Sequence, residues 1–564
     1  MISPPEAIRS FPFRKFADVV LCSPMAHVPT QRISTRATGI VGVAILCSRV
    51  LGLIREVVFA ALFGASRNMD AFLTAFRAPN MLRDLFAEGA LSTAFVTTFS
   101  QRIATEGDKS AWNLASKVAT LALVFMSTVS LLGVIFAPVF INILAPGFPI
   151  EKAELTVLLT RIMFPFILLV SLAALVMGML NAKHVFGMPA MASSFFNLGS
   201  IIGGVALCYW LDPQPDWRHP HFGERGLVGL SIATLIGGFL QLIVQFPSLG
   251  RVGFRFRLDF NWRDPGVRTI LGMMGPATIA ASAVQVNVAV NSIFASGLGD
   301  GPIAWLNIAF RLMQLPLGIF GVAVATVTLP LVSRSAAVGN TSEFRSALAH
   351  SIRLVLLLTI PAAIGLIILA EPIIHLIYEH GRFTPYATTQ TAAALRFYAI
   401  GLAGYSADKV LAPAFYALNR RYVPMFVTLT SIAINFSLNW FFTFYLHWGH
   451  RGLAFSTSMV AITNFIFLYS MMRRYTGRLE TGAMFRTIAK LLFAGIGLAA
   501  ICWLASTFFF SVHTHLAGWK NFLALMVTIA VGAGTFFGAA YLLRVAEVHD
   551  VVDLFRRKFG RPTL

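Results

Sequence analysis

Long apolar segments are the feature that most constrains how this chain can fold. They recur from Gly39 to Ala546, and each holds roughly 20 residues, enough for a helix to cross a bilayer. The chain is 57% hydrophobic and 12% charged, whereas soluble proteins carry about 25% charged residues. Because the apolar runs are long and do not alternate with polar residues, they do not fit a transmembrane β-barrel. The sequence therefore predicts an all-α polytopic membrane protein.

Breaks at glycine, proline and charge clusters divide the chain into about fourteen predicted spans. These spans cover residues 37–63, 70–101, 113–145, 155–182, 187–211, 226–248, 267–296, 303–333, 346–377, 391–418, 424–446, 452–472, 487–511 and 519–543. An even number of spans places both termini on the same side of the membrane.

The distribution of lysine and arginine predicts which side that is. Basic residues are about four times as frequent in the N-terminal tail, alternate loops and C-terminus as in the other loops, so the positive-inside rule places both termini in the cytoplasm. The net charge of +20 is thereby assigned to the membrane surface, and no nucleic-acid partner is predicted. Residues 1–36 are expected to be a disordered cytoplasmic tail, or in part to precede a start at Met25. Residues 544–564 are expected to be a basic cytoplasmic tail.

The sequence also contains an internal repeat. "TAFRAPNML" around Arg77 parallels "IAFRLMQLP" around Arg311. Three further pairs share the same offset of 234 or 235 residues: Gly147 with Gly381, Arg161 with Arg396, and Pro189 with Pro424. The repeat predicts two six-helix bundles of the same orientation, at 37–248 and 267–472, with two additional helices at 487–543. Parallel bundles of this kind are typical of a transporter whose binding site lies between them.

Several charged residues lie inside predicted spans. The basic ones are Arg49, Arg55, Arg77, Arg83, Arg161, Arg311, Arg396 and Lys409, and the acids near them are Glu56, Asp84, Glu88 and Asp408. A cation at the bilayer centre costs about 2.5–3.5 kcal/mol, so it must face a cavity or a partner. Each charge could simply lock two helices, as Arg77 could with Asp84. The set as a whole has an excess of arginine, whose planar fork suits phosphate, and this favours an anionic substrate.

Helical geometry places part of this charge on one face. On an ideal helix Arg77, Asn80, Asp84 and Glu88 share a face, whereas Arg83 points well away from it. A proline at position 79 can kink the helix there. In the repeat-related span, Arg311 and Gln314 share a face.

Four stretches of the sequence carry a family resemblance. "SRVLGLIREVVFAALFGA", "DAFLTAFRAPNMLRDLFAEGALSTAF", "APGF" and "VLAPAFYALNRRYVP" closely resemble the MurJ (MviN) lipid II flippases of the MOP exporter superfamily, from about Ser48 through the twelfth span. The resemblance implies a monomeric flippase in the bacterial inner membrane that works by alternating access. Its implied partners are membrane lipids and lipid II, the undecaprenyl-pyrophosphate-linked peptidoglycan precursor, which it carries to the outer leaflet.

The resemblance also assigns roles to particular residues. It implies that Arg55, Arg83 and Arg311 hold the pyrophosphate, with Arg49 nearby. The supporting cavity residues are expected to be Glu56, Asp70, Arg77, Asn80, Asp84, Glu88 and Gln314, of which Asp70, Asn80 and Glu88 match functionally sensitive family positions. The two additional helices are expected to form a groove for the polyprenyl tail, or else only to pack against lipid.

The chain departs from the family pattern at two places. Many members read "DRLMEFP" where this chain has "FRLMQLP", so acids are absent at Phe310 and Gln314. Some relatives bind sodium through an aspartate in the seventh span, where this chain offers only amides such as Asn287 and Asn291. No metal, cofactor or catalytic residue is predicted. The energy source, membrane potential or ion coupling, stays open.

Three other functions compete with this interpretation. An exporter of another polyprenyl-linked oligosaccharide would share the same charge pattern. A multidrug cation antiporter would need an excess of buried acid rather than of base. A membrane glycosyltransferase or polymerase would need a catalytic acid and a sizeable aqueous loop, and the longest predicted outer loop, Leu211 to Gly226, is too short to build one.

Overall fold

The computed structural model describes residues 35–216, 220–510 and 518–549, and within them every regular element is helical. Side chains are described throughout these ranges except at 35–40, 87–90, 93, 276–277, 279–281 and 283. The predicted all-α fold is thus confirmed. Nearly all of the predicted N-terminal tail and most of the C-terminal tail lie outside the described residues.

The second and third helices of the N-terminal half form one long segment that changes its winding. The π-helical segment Asp84–Leu91 joins the helix Arg67–Arg83 to the helix Ser92–Glu106 without a turn. The helices are α1 Thr35–Phe63, α2 Arg67–Arg83, α3 Ser92–Glu106, α4 Asp108–Ile135, α5 Ala137–Leu144, α6 Ile150–Met163, α7 Phe166–Ala182, α8 Gly187–Leu211, α9 Glu224–Ile243 and α10 Phe246–Arg251.

The C-terminal half shows the same change of winding after its second helix, at the π-helical segment Leu317–Gly321. Its helices are α11 Pro265–Ser296, α12 Pro302–Pro316, α13 Val322–Ala337, α14 Thr341–Ile368, α15 Ala370–Tyr378, α16 Pro385–Ile400, α17 Leu402–Ala417, α18 Tyr422–Trp440 and α19 His450–Thr476. A third π-helical segment, Phe441–Tyr445, extends α18, and α20 Thr481–Phe508 and α21 Gly518–Leu542 follow.

Helix breaks recur between the halves at nearly constant spacing. The two π-helical segments begin at Asp84 and Leu317, and the breaks before α5 and α15 fall at Phe136 and Leu369, 233 residues apart in both cases. These positions agree with the spacing of the sequence repeat. The division into two six-helix bundles stays a prediction.

Ten helical segments among the described residues are long and apolar enough to cross a membrane, judged by length and composition. Together with the absence of any strand in the described part of the chain, they identify a polytopic helical membrane protein. The segment carrying the most site residues, α2, is only 17 residues long and is not among the ten. The total of fourteen spans stays a prediction.

The two halves contact each other at the end of the molecule that carries Gly147 and Gly381. We call this end the predicted outer end. A Cβ atom built on Gly147 would lie 2.6 Å from the Cα of Gly297, at the end of α11. A Cβ atom built on Gly381 would lie 2.4 Å from the carbonyl oxygen of Ala61, near the end of α1. The loop of each half therefore packs against the end of the other half's first helix, and only glycine allows the backbones to approach so closely.

Candidate functional site

A cavity with two adjoining compartments lies between the halves. The compartments have volumes of about 590 and 600 Å³. They share a boundary lined by Arg55, Arg83, Phe196, Arg311, Gln314, Leu317 and Lys409. The basic members of this boundary come from four different helices or their ends, so only the folded chain brings them together.

Most of the predicted site residues face this cavity. Those that line it are Arg49, Arg55, Glu56, Arg77, Asn80, Arg83, Asp84, Arg311 and Gln314. Asp70 does not line either compartment. Glu88 falls in a helical stretch whose side chains lie outside the described residues.

Glu56 joins two arginines from opposite halves. Its Oε1 atom lies 2.6 Å from Nε of Arg311 on α12 and 3.8 Å from Nη2 of Arg55 on α1. Its other oxygen, Oε2, is buried and has no hydrogen-bond partner among the described residues. The Arg311 side chain is 48% exposed, although it is ion-paired. The guanidinium carbon of Arg55 also lies 5.2 Å from the centre of the Phe196 ring, a distance that permits a cation–π contact.

Arg83 faces the cavity, although on an ideal helix it points well away from the face that carries Arg77, Asn80, Asp84 and Glu88. It donates to Oδ1 of the adjacent Asp84 from Nε at 3.1 Å and from Nη2 at 2.8 Å. Oδ2 of Asp84 accepts a bond of 3.2 Å from Gln285 on α11. Arg83 lies three residues after Asn80 on α2, and side chains at that spacing are neighbours on a helix, so both line the same compartment.

Arg77 does not pair with Asp84, which was one arrangement open from the sequence. It donates from Nη1 to the hydroxyl of Ser292, a buried residue on α11. Arg77 on α2 and Asp84 immediately after it thus both contact the first helix of the C-terminal half, Arg77 through Ser292 and Asp84 through Gln285. These contacts could not be predicted from spacing within α2.

Asp70 lies in a separate ion cluster at the predicted outer end, in which Asp70 and Lys152 are buried and Asp300 is half exposed. Its Oδ2 lies 3.2 Å from Nζ of Lys152, and Lys152 also donates to Asp300 over 2.8 Å. The same carboxylate accepts backbone N–H bonds from Gly301 at 2.7 Å and Ala304 at 2.9 Å. Asp70 therefore caps the start of α12, and its contacts connect α2 and α6 to the C-terminal half. These contacts close the predicted outer end, so Asp70 is not a residue of the cavity.

Several polar residues that line the cavity were not among the predicted site residues. They include the amides Asn197, Gln241 and Asn307 and the cation Lys409. The sequence identified Lys409 as a cation inside a span, but it did not indicate where the side chain points. The three amides resemble ordinary polar residues of a helix, and no signal in the sequence distinguishes them.

A second polar cluster lies among α11, α18 and α19. The Nδ2 atom of Asn435 donates to Oδ1 of Asn287 at 2.6 Å and to Oδ1 of Asn291 at 3.0 Å. Asn439 donates to Asn291 over 2.8 Å, and Ser456 donates to Asn435 over 3.0 Å. The cluster consists of neutral amides and hydroxyls that satisfy one another, and Oδ1 of Asn439 is buried without a partner.

Comparison with known proteins identifies the family. Residues 59–521 match the family model described as "Lipid II flippase MurJ". A relative from Bdellovibrio bacteriovorus, named as a probable lipid II flippase MurJ, is 34% identical over 511 residues, which cover 90% of this chain and 94% of that protein. The chain belongs to the MurJ family of lipid II flippases. It is accordingly a membrane transporter and not an enzyme, and the family resemblance found in the sequence is confirmed.

Solved structures support the same fold. A lipid II flippase MurJ in an inward closed conformation superposes with a TM-score of 0.70 at 24% identity, covering 92% of this chain and 99% of that one. An inward-facing multidrug resistance MATE transporter of the MOP superfamily superposes with a TM-score of 0.63 at 15% identity, covering 77% of this chain and 96% of that one. The two superpositions show that the chain shares its helical fold with these transporters.

Proposed function

We propose that this protein is a lipid II flippase of the bacterial inner membrane and moves the undecaprenyl-pyrophosphate-linked peptidoglycan precursor from the inner to the outer leaflet. The observation that carries the proposal is the convergence of Arg49, Arg55, Arg83 and Arg311 on one cavity between the halves. Family membership supplies the class of substrate. The role of the protein is to supply precursor for cell-wall synthesis and hence for cell shape.

The arginines bind the pyrophosphate through charge-assisted hydrogen bonds. Each guanidinium presents a planar fork of N–H donors that matches phosphate oxygens and keeps its charge at any physiological pH. Glu56 and Asp84 accept bonds from these arginines inside the cavity. The carboxylates limit the penalty of leaving cations uncompensated in a low-dielectric site, and the incoming anion exchanges with them.

Transport proceeds by alternating access, with the halves rocking about the cavity. The reciprocal glycine contacts and the Asp70–Lys152 pair support a state closed at the predicted outer end. Both termini are cytoplasmic, so the outer end faces away from the cytoplasm, and lipid II enters from the inner leaflet. The membrane potential is a suitable driver, because it acts on cavity charges with about 2.3 kcal/mol per charge per 100 mV.

The last two helices provide a surface for the polyprenyl tail. Large apolar side chains of α20 and α21 remain exposed, among them Phe493, Ile496 and Trp503, each at least 60% exposed. The helices pack closely on each other, since a Cβ atom at Gly532 would lie 2.6 Å from Leu498. A long hydrocarbon chain in the bilayer can follow this surface while the head group occupies the cavity.

The proposal is tested by alanine and lysine variants of Arg83 and Arg311. Alanine should abolish flipping while expression and thermal stability stay near normal, and lysine should restore function only in part because it lacks the fork. Arg396→Ala is the matched control, since Arg396 pairs with Glu371 and lines neither compartment. Flipping is measured as exposure of lipid II at the cell surface after depletion of the native flippase.

Two results would contradict the proposal. Normal lipid II binding and flipping by both alanine variants would remove the anion site. If the variants instead misfold and regain stability when Glu56 or Asp84 is also neutralised, the arginines serve only to lock helices. Offering other polyprenyl-pyrophosphate glycans to the purified protein separates lipid II transport from export of a different lipid-linked oligosaccharide.

A further inference from the structure

We propose that Lys409 is a substrate-contacting cation that completes the anion site from the C-terminal half. The inference rests on the proposed function, because it assigns a ligand group to a residue of the same cavity. Its ligand is a phosphate oxygen of the polyprenyl-pyrophosphate group. Nothing in the sequence distinguishes Lys409 from the other cations that lie inside spans.

The position of Lys409 on α17 directs it into the cavity. Its helix neighbours Ala407, Val410 and Leu411 are buried in the apolar core of the C-terminal half, so that face of α17 is fixed by packing. Lys409 itself is exposed and lines both compartments. A lysine held at the boundary between two compartments by a packed helix can reach a ligand in either one.

Lys409 is not held in a salt bridge. Among the described residues it forms no salt bridge or hydrogen bond, whereas Arg55 and Arg311 share Glu56. The neighbouring Asp408 acts on Lys409 only through its electric field, and Oδ1 of Asp408 is buried without a hydrogen-bond partner among the described residues. An exposed ammonium in a membrane cavity without a protein acceptor is a free donor for an anionic ligand.

Lys409 also corrects an imbalance between the halves. Arg49, Arg55 and Arg83 belong to the N-terminal half, while Arg311 is the single predicted anion ligand from the C-terminal half. With Lys409 the C-terminal half supplies two cations. A ligand with two linked phosphates can then be held from both sides, and its binding draws the halves together around the cavity.

The two cation types suit different parts of such a ligand. Arginine fixes the orientation of a phosphate through two parallel hydrogen bonds, whereas lysine is a compact point charge on a flexible stem with three rotatable donors. Lys409 can therefore follow a phosphate as the halves move. We expect its charge to matter more than its geometry, which is the reverse of the expectation for Arg83 and Arg311.

The test measures binding of lipid II to the purified protein in lipid nanodiscs. Lys409→Gln should weaken binding about tenfold or more, the loss of one charge-assisted hydrogen bond. Lys409→Arg should restore most of the affinity because it keeps the charge. Arg396→Gln removes an in-span cation outside the cavity and should bind normally, and Arg83→Ala serves as the reference for the arginine site. Thermal unfolding of each variant, measured beside binding, shows whether it is folded.

The outcomes separate this inference from the proposed function. Weak binding by both Lys409→Gln and Arg83→Ala, with normal binding by Lys409→Arg and normal stability throughout, supports the inference. Normal binding by Lys409→Gln together with loss in Arg83→Ala overturns the role of Lys409 and leaves the arginine site standing. Normal binding by both variants removes the anion site itself. A Lys409→Gln protein that is unstable and is not rescued by arginine would show that the lysine is structural, which also overturns the inference.

Discussion

Oε1 of Glu56 lies 2.6 Å from Nε of Arg311, so a carboxylate of α1 and a guanidinium of α12 connect the two halves inside the cavity. The same oxygen lies 3.8 Å from Nη2 of Arg55. Two of the four arginines that are proposed to hold the pyrophosphate, Arg55 and Arg311, thus share one carboxylate. A ligand phosphate and Glu56 must compete for them.

This competition predicts the effect of Glu56→Gln. Removing the carboxylate charge should tighten lipid II binding about three- to tenfold, because the anion no longer displaces a charged partner. Flipping should slow down, because release becomes harder. The measurements are affinity in nanodiscs and lipid II exposure in cells. Glu371→Gln, which neutralises an exposed partner of Arg396, is the control, and weaker binding by Glu56→Gln would argue against competition.

Closure of the predicted outer end should depend on Asp70. Asp70→Ala leaves Lys152 buried with only Asp300 as a carboxylate partner and removes the cap of α12, and breaking a buried pair of this kind costs about 3–5 kcal/mol. The closed state should become less populated. A cysteine at Asn307, which lines the cavity, should then react faster with an impermeant maleimide added outside cells, in a background without native cysteines.

The control for that experiment is Arg67→Gln. Arg67 pairs with Glu151 at the same end over 2.9 Å, but both side chains are largely exposed, so little stabilisation is expected from them. Labelling at Asn307 should be unchanged in this variant. Equal labelling in Asp70→Ala and the unmodified protein would show that the buried cluster does not control access.

The stability of the folded protein at low pH should depend on Asp264, which precedes α11 in the loop between the halves. Burial alone raises the pKa of this carboxyl, but hydrogen bonds from Lys117 and Arg102 outweigh burial and lower the pKa to about 2. Unfolded aspartate has a pKa of about 3.9. Since the folded pKa is the lower one, the stabilisation is fully present above about pH 4 and is lost as the pH falls towards 2.

Asp264→Asn should therefore lower the thermal stability at pH 7 and reduce the further loss between about pH 4 and 2. Thermal unfolding of the purified protein at several pH values measures this. Asp259→Asn is the matched control, because Asp259 is 39% exposed and lies 4.0 Å from Lys117. An Asp264→Asn profile parallel to that of the unmodified protein would show that the ion cluster does not stabilise the fold.

Topology is tested by single cysteines in the loops. With both termini cytoplasmic, a cysteine at Arg255 should stay unlabelled by an impermeant maleimide in intact cells, while one at Gly299 should be labelled. The reverse labelling pattern would show that the membrane orientation, and with it the direction of transport, is opposite to the one predicted. This prediction depends only on the distribution of basic residues.

Membrane character, helical fold and family were all determined by the sequence itself. Apolar runs of roughly 20 residues are stable in a membrane as helices, because the backbone N–H and C=O groups in lipid must form their hydrogen bonds within their own segment. The cations inside spans could also be recognised from the sequence as site candidates, since each one must face a cavity or a partner. Nearly all of the predicted site residues, from Arg49 to Gln314, accordingly line one cavity.

Only the tertiary structure decided which groups meet. The π-helical winding that begins at Asp84, immediately after Arg83, is not indicated by any residue spacing. Arg77 donates a hydrogen bond to Ser292, and Glu56 and Asp70 form ion pairs with Arg311 and Lys152. In each case the two partners are far apart in the sequence. Such pairings are set by how helices cross and rotate against each other, which depends on packing over the whole interface. The sequence shows that charge must be compensated, and the fold selects the partner.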